Sequence, residues 1–80
     1  MDKTYVAVGP YAWGKGAKQE TAVRNCRAEV PRSLLKPGRH KIHVYEVAGF
    51  RYVSDVDGSI CYDKEGSCVK VREVSVLVRR

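Results

Sequence analysis

Thr4-Tyr-Val-Ala-Val-Gly-Pro-Tyr-Ala-Trp-Gly-Lys-Gly-Ala-Lys-Gln-Glu20 is the stretch on which the reading of this chain turns. Thr4 to Val8 alternates in polarity and reads as a strand. Gly9 to Gly16 reads as a glycine-rich loop. A helix is expected from about Ala17 to Ala28, with Gly16 as N-cap and Gln19 at the capping-box position. Free backbone N–H groups at a helix start attract anions, and Lys15, Lys18, Tyr11 and Trp13 gather around this one. Gly9 to Lys15 even satisfies G-x-x-x-x-G-K. A nucleotide-hydrolysing loop next needs Ser or Thr to hold a metal ion, whereas Gly16 stands there, and eighty residues cannot supply the parallel sheet such chemistry uses. Phosphate contact without hydrolysis remains, beside the plainer reading that the glycines make turns and Trp13 folds back onto the core.

Two resemblances attach to the same residues. Trp13-Gly-Lys-Gly-Ala-Lys-Gln-Glu-Thr-Ala22 resembles the glycine-and-lysine helix start of double-stranded RNA-binding domains, over about twelve residues of local physics. That family carries a helix and two more strands ahead of this point, and here one strand stands upstream. The order strand, Trp-Gly-x-Gly loop, helix also resembles small bacteriophage accessory proteins, a likeness that implies a binding role and no specific activity.

Working outward, Ala22, Val23, Cys26 and Val30 form the apolar stripe of the helix, with Glu20 and Arg24 four apart on its wet side. Pro31 stops it. Leu34 and Leu35 are expected to plug the core, and Pro37-Gly38 to turn. The remainder reads as a meander if Ala48-Gly49, Asp57-Gly58 and Glu65-Gly66 are each two-residue hairpin turns. Val44 then lies opposite Val53, Tyr62 opposite Val53 and Val69 opposite Tyr62, so that Ile42, Val44, Val53, Ile60, Tyr62, Val69 and Val71 share one face. Glu46 pairs with Arg51. Val69 and Val71 have one parity and Val74, Val76 and Val78 the other, which calls for a β-bulge near Arg72-Glu73, the strand's second half then pairing with the first strand. The expected fold is α+β over residues 1–80 as a single domain. It is a curved antiparallel sheet of about five strands, in the order β-α-β-β-β-β, with one helix packed on one face.

The other face of that meander carries Lys41, His43, Tyr45, Phe50, Tyr52, Ser54, Cys61, Lys70 and Arg72. Tyr45 and Tyr52 become cross-strand neighbours among basic residues, an arrangement that stacks single-stranded bases in several folds and equally one that simply stabilises a sheet. Lys36, Arg39, His40 and Lys41 cluster at the Pro-Gly turn.

Fifteen Lys and Arg against nine Asp and Glu give a net charge of +6, which points to a polyanionic partner. Two function classes follow. The first is a nucleic-acid-binding accessory protein contacting phosphates through Lys15, Lys18, Arg39 and Lys41, with Tyr45 and Tyr52 as base stacks and Trp13, Tyr11 and Lys70 as further binding residues. The second is a protein-interaction module or inhibitor that docks on a larger enzyme, or on an acidic protein surface, through exposed aromatics. No carboxylate pair, activated nucleophile or cofactor motif is visible, so no catalytic residue and no cofactor are expected. Cys26, Cys61 and Cys68 lack the tight pairing of a zinc site, and their odd number makes a poor disulfide framework, so no metal is expected either. No apolar run reaches about 18 residues and the start lacks a signal-peptide pattern, so the expectation is a cytoplasmic protein without a membrane span. The long final strand leaves monomer or edge-paired dimer open.

Overall fold

A computed structural model describes residues 2–79. The fold is α+β: strands β1 (Lys3–Gly9) and β2 (Ala12–Gly16), helix α1 (Gln19–Glu29), a 3₁₀ turn over Arg32–Leu34, and the long strands β3 (Gly38–Val53) and β4 (Ile60–Val78). The strands form one open antiparallel sheet in the order β2-β1-β3-β4. There are four strands, in the order β-β-α-β-β, where five were expected, and each difference has a local cause.

The expected loop Gly9–Gly16 is instead a β-hairpin. Gly9 pairs with Ala12 and Tyr5 with Gly16, around a two-residue turn at Pro10-Tyr11. Proline presets the first turn position, and Tyr11 takes the second at a φ of +58°, a conformation that ordinarily selects glycine. The glycines of β2 let a helix come close. A Cβ at Gly14 would overlap the backbone nitrogen of Cys26 and stand 2.8 Å from the Ala22 oxygen, and one at Gly16 would stand 2.7 Å from the Thr21 side chain. What reads as a phosphate cradle is therefore a helix-packing surface. The helix starts later than expected, with Lys18 rather than Gly16 as N-cap and no side-chain cap.

The stripe Ala22, Val23 and Cys26 is buried against Ala7, Ile42, Val44 and Val76. Val30 joins Leu35 and Val78 in a small cluster beyond the helix end. Of the two leucines expected in the core only Leu35 is there; Leu34 lies 73% exposed on the 3₁₀ turn.

Ala48-Gly49 and Glu65-Gly66 do not turn the chain. They face one another across the β3–β4 ladder: Ala48 pairs with Ser67 and Phe50 with Tyr62, so Gly49 alone stands against residues 63–66. Two expected hairpins become one wide bulge, with Gly49 at a φ of +76°. The expected pairings Val44–Val53 and Tyr62–Val69 are absent for this reason, whereas Val53 pairs with Ile60 rather than Tyr62 because the chain turns through the six-residue loop 54–59 and not through a two-residue turn. Arg51 bonds Asp63 (Nε–Oδ1, 2.6 Å) instead of Glu46, which takes Lys3 at 2.9 Å. Asp57-Gly58 does turn the chain, inside a loop closed by Ser54 N–H to Ser59 O (2.8 Å) and Gly58 N–H to Ser54 O (2.9 Å).

The change of phase in β4 is real and lies one residue from its expected place. Val44 pairs with Arg72 and Tyr45 with Lys70, leaving Val71 as the extra residue. Val74, Val76 and Val78 thereby face the helix, but they lie along β3, not along β1, which sits between β2 and β3.

Beyond the wide bulge, the tip of the β3–β4 hairpin curls over the sheet face opposite the helix. Val53 joins Val6 and Val47 there, with Trp13, Phe50, Ile60 and Val8 packed around them. The valines expected on one face are thus split between two small cores, one under the helix and one under the tip, while Tyr62, Val69 and Val71 are exposed. The molecule measures 44 × 25 × 16 Å.

Candidate nucleic-acid interface

Helix α1 packs chiefly on β2 and β1 and reaches β4 only lightly. A groove of about 270 Å³ remains between helix and edge strand, lined by Glu20, Val23, Arg24, Arg27, Arg72 and Val74. Residues 20, 23, 24 and 27 are spaced three and four apart, which aligns them along one stripe of the helix. Val23 and Val74 make the floor, and the arginines rise on both walls. Arg27 is steadied by donating from Nη2 to the Ser75 carbonyl at 3.2 Å. None of the three arginines has an ion-pair partner among the described residues; the expected Glu20–Arg24 pair is not formed.

The groove lies on a strongly basic half of the molecule. Residues 24–41 and 70–79, which hold the outer turns of α1 and the paired ends of β3 and β4, contain nine Lys and Arg against two carboxylates. Residues 50–66, the hairpin tip, contain two against four.

The residues singled out from the sequence are scattered over the molecule. Lys41 and Lys70 lie on the far face, where Glu73 binds both: Lys70 Nζ at 2.9 Å, Lys41 Nζ at 3.5 Å, with His43 Nδ1 at 3.2 Å. The Lys70 hydrogen bond, assisted by the charge of Lys41, holds the Glu73 carboxyl below the usual carboxylate range. Trp13 is half-buried on the same face, tilted 54° against Phe50 at 6.0 Å, and the Lys15 ammonium stands 5.7 Å above the Phe50 ring. Lys18 is at the helix N-cap and exposed, separated from Lys15 by the edge of the sheet. Arg39 is exposed at the start of β3, opposite Leu77.

Tyr45 and Tyr52 are not neighbours. Tyr45 pairs with Val6 and Lys70, Tyr52 with Cys61 beyond the bulge, where contact with the Cys61 thiol raises its phenol above the ordinary value. Tyr11, 81% exposed, stands on the β1–β2 turn. Arg72, expected on the outward aromatic face, is on the helix face because of the bulge at Val71.

All three cysteines are free thiols, and burial pushes the Cys26 thiol up to about 11. Among the described residues no three His, Cys, Asp or Glu side chains gather at metal-binding distance, and no helix is long and apolar enough to cross a membrane. Arg24, Arg27 and Arg72 are the residues that reading the sequence missed. The spacing of 20, 23, 24 and 27 was visible, but nothing local says how far the helix reaches across the sheet. No protein family, curated protein or solved structure matches this chain.

Proposed function

We propose that this is a non-enzymatic nucleic-acid-binding protein that takes phosphates in the groove between α1 and β4. The observation that carries the reading is three arginines without ion-pair partners flanking one groove whose lining holds a single carboxylate, Glu20. Guanidinium groups on both walls suit a phosphodiester, each offering paired N–H donors to its oxygens, and the Val23–Val74 floor suits the apolar side of a sugar. Lys18, Arg32 and Lys36 are exposed at the two ends of the helix and add to its positive charge. The groove has no aromatic lining, so recognition is of backbone charge and shape rather than of bases.

Three phosphate contacts predict a steep salt dependence. Raising salt from about 50 to 200 mM should weaken binding of a labelled oligonucleotide roughly twenty- to fortyfold, measured by fluorescence anisotropy. Arg24→Ala with Arg72→Ala should flatten that slope. Absence of binding at the lower salt would sink the reading. Equal affinity for poly-glutamate would transfer the groove to an acidic protein partner.

A further inference from the structure

At the opposite end of the molecule, between the β1–β2 turn and the β3–β4 loop, lies a cleft of about 440 Å³. Val8, Trp13 and Val53 form its apolar floor, and Tyr11, Asp55 and Val56 stand on its rim. Three features set the rim apart from ordinary loop surface. Val56 is 95% exposed, an apolar side chain turned almost wholly to water. Tyr11 is held at a positive φ that its Cβ disfavours, and yet its ring is outside the core. Asp55 has no ion pair and no side-chain hydrogen bond among the described residues, unlike Asp57, whose carboxylate accepts from both Ser59 N–H and Ser59 Oγ.

The far end of the same hairpin carries the complement. Leu77 is 46% exposed on the face away from the helix. Its cross-strand partner is Arg39, and Arg79 follows two residues on; both arginines are exposed. An exposed leucine between two arginines is what an apolar cleft rimmed by a carboxylate accepts. The charge along the long axis agrees, with four carboxylates against two cations at the tip and the reverse imbalance at the other end.

We propose that copies of this chain associate head to tail, Leu77 of one copy entering the tip cleft of the next while Arg39 meets Asp55. Made end to end along the long axis, the contact joins two different surfaces and extends with concentration to an open chain or a ring of more than two copies. It uses the face opposite the arginine groove, and therefore leaves that groove accessible in every copy. It does not rest on the nucleic-acid reading.

The test is sedimentation velocity on nuclease-treated protein at low ionic strength. Expected is an average mass that rises with concentration past that of a dimer and returns to monomer at high salt. Asp55→Arg and Arg39→Asp, both at exposed positions, should each abolish the rise, weakening self-association at least tenfold. Mixing the two variants should restore it, since each then supplies the surface the other lacks. Three results would overturn the proposal: a monomer at every concentration in low salt, a mass that plateaus at a dimer as an edge-paired β4 would give, or association that survives both substitutions. Circular dichroism of each variant shows that the fold is kept.

Discussion

The two ends of the β3–β4 hairpin are built from the same pair of strands and have become different surfaces. From Gly38 to Val44 the strand β3 runs in continuous register with β4, and the helix covers its inner valines. From Phe50 to Val53 it runs beyond a bulge that sets one residue against four, and curls onto the opposite face of the sheet. The first end is closed by a rigid layer and gathers cations on its outside. The second is closed only by its own curl, leaves a cleft behind it and gathers carboxylates. Regular pairing makes a platform, and interrupted pairing makes a pocket.

The largest expected effect breaks the helix-covered end. Gly14 lies where strand and helix backbones touch, and neither can move without the other. Gly14→Ala should cost about 3 kcal/mol, the upper end for forcing a methyl into a packed core. Against roughly 3–5 kcal/mol for a chain of this size, that leaves a protein close to unfolding at room temperature, as urea denaturation would record. The same methyl at Gly9 meets only the Ile42 side chain at 3.0 Å and the Cys26 sulfur at 3.2 Å. Those atoms can shift, so Gly9→Ala should be much milder; equal losses would mean that β2 does not bear on the helix as described.

That pair of glycines also shows which parts of the fold were legible. Asp57-Gly58, the stripe Ala22-Val23-Cys26 and the parity change between Val71 and Val74 are local signals, and each led to the right element within a residue or two. Gly14 and Gly16 look like an anion cradle in the sequence because their physical reason, the backbone of residues 21–26, lies further along the chain. Gly49 and Gly66 each looked like the centre of a hairpin. Only their positions opposite one another across a ladder turn both into a single bulge, and no window of sequence contains that fact. The arginine groove was hidden similarly: Arg24 and Arg27 are one helical stripe, but Arg72 reaches the same groove only through the extra residue at Val71.

A smaller effect reports on the same end through pH. Burial is the chief cause that raises the Cys26 thiol from 9.0 to about 11. In the unfolded chain the thiol ionises near its ordinary value, while in the folded chain it stays protonated. The stabilisation is therefore complete below pH 9 and is lost as pH rises towards 11, up to about 2 kcal/mol. Lysines and tyrosines titrate in the same window, so the measurement is the difference between the native chain and Cys26→Ala. The native chain should lose more stability between pH 9 and 11. Parallel curves would place the thiol in contact with water and the helix off its strand.

The smallest effect separates the two ends. Val53 is buried only because the tip curls over Val6 and Val47. Val53→Ala removes two methyl groups from that cluster and should cost about 1–2 kcal/mol. The loss falls on the tip and not on the helix-covered end, because Val53 touches none of the residues that hold α1 to the sheet. Trp13, half-buried beside Phe50 under the tip, is the internal probe. Its emission should shift to the red and become more accessible to acrylamide, while oligonucleotide affinity at the arginine groove stays within twofold of the native value. A loss of affinity parallel to the change in Trp13 would show that the two ends are one cooperative surface. Unchanged Trp13 emission would show that the curl is held by the Arg51–Asp63 ion pair at the bulge and not by the valine cluster.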